Sequence, residues 1–418
     1  MTRPALRDAR FHSLAQLLQQ ADYCFANLET TFAREGATPA AISGGTWAQS
    51  APALLGDLQA YGINLLGCAT NHALDYGEQG VCDTLQVLRQ AGMAHAGLGR
   101  NLDEASRPAY LESAAGRVAL LSLTSTHQDF AVAGAQRHDM VGRPGINPLR
   151  YSTTYRLPPE EIAHLQRIAQ QTGINLREEM RISEGYALAG AAERFAFGGH
   201  QFEASDGAAS THTQFSPVDM ARTLRGIEDA RASADHILVS IHCHEMRGKD
   251  KQTPPDFLVD FAHACIDAGA HAIVGHGPHI LRGIEVYRNR PIFYSLGNFI
   301  FQNETVQRLP SDFYDKYGLD TQCTVNQALD VRSDHGKKGL ALNAKVWHSV
   351  IPQWQMQDGE LTSLKLYPIS LGFGQARWQR GSPERTTALE PLHELQALCA
   401  TFGATVHIAD DATGRLTW

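Results

Sequence analysis

Nowhere in these 418 residues do eighteen apolar side chains run together, and the first thirty residues carry Arg, Asp and Gln where a secretory leader needs an apolar core. A helical membrane span is therefore not expected, and the cytoplasm is the expected location. Cysteine is sparse: seven residues, at 24, 68, 82, 243, 265, 323 and 399, form no CxxC pair and no regular framework. That excludes a disulfide scaffold, and the thiols read as free and mostly buried. No stripe of one charge stands out either. The 36 basic and 44 acidic residues are interspersed, with a net charge of -8, so nucleic acid is not an expected partner. Internal repeats and low-complexity segments are absent as well.

What is present is alternation of short apolar runs with helical patterns up to about residue 305, the mark of an α/β fold. Helical periodicity covers 11–21, 52–61, 80–91, 217–232 and 255–268, and strand-like runs cover 23–26, 63–67, 95–99, 117–123, 236–241 and 269–275. Between 142 and 218 the alternation lapses around one helix at 158–173, which reads as a functional insertion or lid. Beyond 305 come strand-like stretches at 339–346 and 361–366, a helix at 391–401 and a strand at 405–408. The expected organisation is a domain over 1–305, with its insertion at about 143–218, and a C-terminal extension over 306–418 packing on it.

The apolar runs stop in polar residues. Asn27 and Glu29, Asn71 and His72, His242, His244 and Glu245, His276 and His279, and Asn298 each follow a different run. A single histidine at a strand end is commonly a hydrogen-bonded structural residue, and Asn27 and Asn298 fit turns as well as ligands. Several such ends on neighbouring strands converge, however. Imidazole, carboxylate and amide oxygens without a thiolate quartet suit an open site for Zn, Mn, Fe or Ca. Asp75 either orients His72 or caps the next helix, and Glu285 reads as a surface ion pair.

Five segments in this order, Asn27-Leu28-Glu29, Thr70-Asn71-His72-Ala73-Leu74-Asp75-Tyr76-Gly77, His242-x-His244-Glu245, Gly275-His276-Gly277-Pro278-His279 and Tyr294-Ser295-Leu296-Gly297-Asn298-Phe299, resemble the motifs of the CapA (poly-gamma-glutamate capsule synthesis) family. That family is related to calcineurin-like metallophosphoesterases. The resemblance implies a four-layer αββα metallophosphatase-like sandwich with a metal site at the strand ends. It assigns Glu29, Asn71, His242, His276 and His279 to divalent metal, with His276 ahead of His279 because the His-Gly-Pro-His spacing departs from the related His-x-His. It also implies a Gly-Asp strand before the first helix, which has no counterpart after Met1; a truncated start is the expectation, and Asp8 is a weak substitute.

The chemistry implied is metal-assisted hydrolysis of a phosphoester or amide, on a small-molecule, peptide or polymer substrate such as polyglutamate. His72, oriented by Asp75, would protonate the leaving group, and His244 with Glu245 forms an alternative acid/base pair. Asn27, Asn298 and, from the insertion, Arg143 are the substrate-binding candidates, with Arg150 and Tyr151 beside Arg143. Two rival readings keep the same residues: a peptide-modifying enzyme such as an epimerase, and a non-catalytic subunit of capsule polymer synthesis or export.

Overall fold

The apolar runs that end in polar residues are strands in the computed structural model, which describes residues 2–6, 10–190, 194–320 and 322–418. Asp8 lies outside the described residues. Strands β1 (Phe25–Asn27), β2 (Leu65–Gly67) and β3 (Ala94–Ala96) make a parallel sheet in that order. A six-stranded sheet is built from β4 (Ala109–Ser113), β5 (Gly116–Thr124), β6 (His236–His242), β7 (Ala272–His276), β8 (Ile284–Tyr287) and β9 (Arg290–Phe293). Its order is β8-β9-β7-β6-β5-β4, with β5, β6, β7 and β9 parallel, so their carboxyl ends share one edge. The fold class is α/β.

Side chains divide by parity along each strand. On β5 and β6, Leu121, Leu123, Ile237, Val239 and Ile241 pack against helices at Pro217–Arg231 and Asp256–Asp267, through Met220, Ile227, Phe257 and Phe261. Leu120 and Leu238 point the other way, into a core shared with Leu65 of β2 and Ala96 of β3. The next residue of β2, Leu66, faces a third core built on Phe11 and Leu14 of the helix Phe11–Leu18 and on Val81, Leu85 and Leu88 of the helix Gly77–Gln90. The first helix stops at Leu18, short of the expected 21, because Gln19 to Asp22 offers no further apolar face.

The C-terminal part adds an antiparallel sheet of β10 (His348–Gln357), β11 (Glu360–Ser370), β12 (Thr405–Ile408) and β13 (Gly414–Thr417), ordered β10-β11-β13-β12. Val350, Leu364 and Leu366 belong to the core of Leu120 and Leu238. One expectation is corrected here. The stretch 339–346 is not a strand but two tight turns, Leu340–Leu342 and Ala344–Trp347, in which the Asn343 side chain accepts from the Lys345 N–H and the Trp347 indole donates to the Leu340 carbonyl. Turning the chain buries Val346 and Trp347 together against Phe301, which alternation along a strand could not do.

The lapse after 142 also holds more structure than expected. Segments Tyr151–Leu157, Phe195–Phe197, His200–Ala204 and Ser210–Phe215 form a separate four-stranded sheet, accompanied by helices Pro159–Thr172 and Leu176–Ser183. Tyr151–Leu157 and Ser210–Phe215 are rich in Ser and Thr, the other two strands are short, and all are half exposed, so no apolar period announces them. Arg150 enters this segment tied to Asp219 by two bonds of 2.8 and 2.6 Å, and Arg222 reaches the same carboxylate at 2.8 Å. Asp219 is completely buried. Burial pushes its pKa up, but the hydrogen bonds from Arg150 and Arg222 outweigh it and the carboxyl sits below its ordinary value. Asp219→Ala is expected to cost about 3 kcal/mol, since it removes three charge-assisted hydrogen bonds from a buried carboxylate. A depressed folded pKa means that the stabilisation is complete above the unfolded carboxyl value and fades as pH falls through the folded one. Urea melts of wild type and variant should therefore converge in acid.

Candidate metal centre

The strand ends meet, as the polar punctuation of the sequence implied. Glu29 follows β1, Asn71 and His72 follow β2, His242 closes β6, His276 closes β7, and His279 and Asn298 lie on the loops after β7 and β9. Two glycines allow the approach. Gly277, at φ 125°, carries the loop past the Cys243 backbone, where a Cβ would sit 3.0 Å from its N and C atoms. A Cβ on Gly44 would meet the Asn71 amide at 2.5 Å, so the loop around 44 closes over Asn71 only because it has none. His279 itself is held at φ 62°, a left-handed conformation uncommon outside glycine and a recurrent feature of sites held by their surroundings.

Glu29, His244 and His279 each turn one donor atom to a common point, all within 4.8 Å of one another. Glu29 Oε1 lies 3.9 Å from the Nε2 atoms of His244 and His279 and 3.7 Å from that of His242. His242 and His244 bring their Nε2 atoms within 3.0 Å of each other. Donors bound to one cation at about 2.0–2.2 Å stand roughly 3–4 Å apart, which is the spacing found here.

The tautomers follow from the surrounding bonds. Asn298 Nδ2 donates to the Val346 carbonyl at 3.0 Å, so its Oδ1 faces His279 Nδ1, 2.8 Å away, and must accept its N–H. His279 Nε2 is left as a bare lone pair directed at Glu29, the arrangement by which an outer partner orients a ligand. His276 is placed differently. Its Nε2 contacts Ser240 Oγ at 2.8 Å and its Nδ1 meets His242 Nδ1 at 2.9 Å, so both nitrogens are engaged. A His276 protonated at Nε2 donates to Ser240 and accepts from His242 at Nδ1, one of the two arrangements that the Ser240 hydroxyl, donor or acceptor, allows. In this arrangement His279, rather than His276, faces the carboxylate, and His276 stands behind His242.

Burial disfavours the charged form of His242, His244 and His276. It lowers His276 to about 3; His244 falls to about 2 through burial and the neighbouring His279 and His72, and His242 is driven well below its ordinary value by burial and the other histidines. His72 is the exception. Burial works against its charge, but the Asp75 carboxylate, bonded to His72 Nδ1 at 2.6 Å, and the charge of Glu29 raise it above its ordinary value. Asp75 also accepts from the Ala48 N–H at 2.7 Å and is almost fully buried, so it orients His72 rather than capping a helix.

Three buried acceptor oxygens have no hydrogen-bond partner among the described residues, and all three belong to this set: Asn27 Oδ1, Glu29 Oε1 and Asn71 Oδ1. Unpaired buried acceptors cost about 1–3 kcal/mol each, and three of them in one place form a set that a cation would satisfy. A carboxylate oxygen, amide oxygens and neutral imidazoles fit a borderline dication.

Other expected residues are used elsewhere. Glu245 accepts from Ser125 Oγ at 2.7 Å and from Thr126 Oγ1 at 3.0 Å, which commits its carboxylate to the β5 end rather than to a pair with His244. The Arg143 guanidinium donates to the Val132 carbonyl at 2.9 Å on an exposed loop, Arg150 is spent on Asp219, and Tyr151 stacks on Phe257. Glu285, expected in a surface pair, instead accepts from the Tyr294 hydroxyl at 2.6 Å and bonds His263 at 2.9 Å.

Arg282 was not singled out, although a lone arginine in Ile280-Leu281-Arg282-Gly283-Ile284 is a signal. It is completely buried and donates to the carbonyls of Cys243, Glu245 and Lys251 at 3.3, 2.6 and 2.8 Å, holding the loop that carries His244. Arg282→Met is expected to destabilise the fold by at least ~3 kcal/mol, given ~1.5–3 for each bond to a charged group, with the loss read by chemical denaturation.

The profile of the family described as bacterial capsule synthesis protein PGA_cap matches residues 6–303. The chain is similar to the uncharacterized protein y4sH of Sinorhizobium fredii, 34% identical over 414 residues, covering 96% of this chain and 87% of that protein. It is also similar to the capsule biosynthesis protein CapA of Bacillus anthracis, 25% identical over 241 residues, 57% of this chain and 40% of that protein. A third relative is the probable polyglutamine synthesis accessory protein MT0602 of Mycobacterium tuberculosis, 27% identical over 288 residues, 68% of this chain and 57% of that protein. Among the described residues no helix is long and apolar enough to cross a membrane. A match across most of the chain, with the five motifs on converging strand ends, makes this protein a member of the bacterial capsule synthesis PGA_cap family, to which the resemblance to CapA had pointed.

Proposed function

We propose that this protein is a metal-dependent hydrolase of a phosphoester or amide, built on a metallophosphatase-like αββα sandwich and serving capsule or polyglutamate metabolism. The observation that carries the reading is the set of three partnerless oxygens on Asn27, Glu29 and Asn71 next to bare imidazole nitrogens. The names of the relatives support the capsule-related role, and the two sheets facing one another through the Leu65–Leu120 core support the sandwich.

Glu29, His242, His244 and His279 would hold the cation, with Asn71 and Asn27 oxygens alongside. What a divalent cation supplies when bound is Lewis-acid polarisation of a substrate oxygen and a lowered pKa for water. Asn298 keeps His279 in its binding tautomer, and His276 does the same for His242. His72, whose hold on a proton Asp75 strengthens, would supply one from Nε2 to the departing oxygen or nitrogen.

The test is hydrolysis of a phosphodiester and of a γ-glutamyl amide by protein loaded in turn with Mn, Zn and Fe, with His72→Gln as control. Turnover lost in the control is expected. No cleavage of either bond with any metal would end the hydrolase reading, and deuterium uptake at a peptide α-carbon without cleavage would select the epimerase.

A further inference from the structure

The arginines expected at the substrate, Arg143 and Arg150, are engaged elsewhere, yet another reaches the centre from a part of the chain beyond residue 303, where the family profile ends. It is Arg332, the last residue of the helix Val325–Arg332. A capping box between Thr324 and Gln327 fixes the start of this helix, and Asp330, paired with Arg377 at 2.8 Å, ties down its outer side. The inner side is apolar. Ala328 and Leu329 are buried with Phe313, of the helix Ser311–Lys316, against Trp47 and Tyr76. Positions 328 and 332 lie one turn apart, so the face that brings Ala328 to Trp47 brings Arg332 to the residue before it, Thr46. There the guanidinium Nη1 donates to the Thr46 hydroxyl, which is itself buried.

Thr46 belongs to the loop that closes the site. Gly44 touches the Asn71 amide, and a Cβ on Gly45 would lie 3.8 Å from His72 Cε1. Ala48, further along the same loop, donates to Asp75, the partner of His72. A guanidinium anchored at Thr46 therefore stands on the His72 side of the centre, and its charge is felt there, where it opposes the proton on His72. What singles Arg332 out is the lack of a counter-charge. Arg377 and Arg380 are both paired with Glu304, whereas among the described residues no carboxylate pairs with Arg332. The bond to Thr46 uses one arm of its guanidinium, and the remaining arms have no hydrogen-bond partner among the described residues. Such a planar cation matches a carboxylate or phosphate, which it can grip through two parallel bonds.

We infer that Arg332 reads a carboxylate on the departing part of the substrate, beside the bond that is cleaved, and so selects an amide with an acidic leaving unit. The inference rests on the hydrolase reading in one respect, that the departing atom lies next to His72. Charge decides between the two substrate classes. A phosphoester already carries its negative charge at the group that is cleaved, where the cation meets it. A γ-glutamyl amide carries none there, and its nearest charge is the α-carboxylate of the departing unit, next to the nitrogen that His72 protonates. That is the place Arg332 can reach. The helix that carries it lies outside residues 6–303, so this selection is a property of the C-terminal part and not of the segment that the family profile describes.

The test is calorimetric titration, with Mn present, of wild type, Arg332→Gln and Arg332→Lys with γ-glutamylglutamate and with the same dipeptide amidated at both carboxyl groups of its second residue. Wild type is expected to bind the acid about 10–100-fold more tightly than the amide, the range of one hydrogen bond to a charged group. Arg332→Gln should lose that preference while keeping its manganese content and its affinity for the amidated ligand, and Arg332→Lys should keep part of it. No preference in the wild type would overturn the proposal, as would an undiminished preference in Arg332→Gln. Equal weakening of both ligands in Arg332→Gln would overturn it too, leaving Arg332 a brace for the Thr46 loop. Binding is read without cleavage, so the two readings fail separately. A preference lost in Arg332→Gln, in a protein that cleaves neither ligand, ends the hydrolase reading alone, and cleavage without preference ends this one alone.

Discussion

Glu29→Gln is expected to lower cation affinity on the order of 100-fold or more, beyond the 10–100-fold seen when a mere outer partner is lost. Among the described residues the carboxylate is the one anionic group 3.9 Å or less from three histidine nitrogens, and the neutral amide brings no charge to balance a dication. His279→Ala should act in the same direction, and Asn298→Ala more weakly, because the latter frees the tautomer of His279 without removing its nitrogen. His276→Ala separates the two roles open to that residue: metal content that falls less than in His279→Ala fits a group standing behind His242. Elemental analysis of purified protein, with calorimetric titration of Mn and Zn, reads all four. Unchanged metal content in Glu29→Gln and His279→Ala would remove the centre from the site.

The second large effect is expected from Asp75→Asn. Burial alone would lower the His72 pKa; the bond and the charge of Asp75 raise it, so removing the charge leaves burial in command. In metal-free protein the His72 ring should titrate above 6.5 in the wild type and below it in the variant, as read by nuclear magnetic resonance. The sign carries over to stability. A raised folded pKa contributes stabilisation that is complete below the unfolded histidine value and is lost as pH rises through the folded value. The stability gap between wild type and variant should therefore be wide in mild acid and narrow in alkali. Turnover at neutral pH should fall by about 10²–10⁴-fold if His72 is the proton donor. An unmoved titration would show that Asp75 serves only the Ala48 backbone.

Much of this was legible in the chain itself. Apolar runs closed by Asn, His or Glu mark strand ends, and a parallel sheet brings such ends to one edge whatever lies between them; Asn27, Asn71, His242 and His279 were found in this way. Arg282 was overlooked because its three carbonyl partners, at 243, 245 and 251, are remote in sequence and carbonyls leave no mark on composition. The insertion sheet has no period in the sequence because its strands are short or Ser/Thr-rich and bury little surface.

The sequence by itself determined the class of fold, the strands that end in polar residues and the kinds of atom they present, since periodicity and residue chemistry are local properties. Only the tertiary structure decided which nitrogen of which histidine is free. Asn298 behind His279 sets the tautomer there, and the two are loop neighbours made adjacent by the sheet alone. It also decided that β1 and β10, 321 residues apart in the chain from Asn27 to His348, line the same cavity, because the meeting of distant strands is a fact of packing.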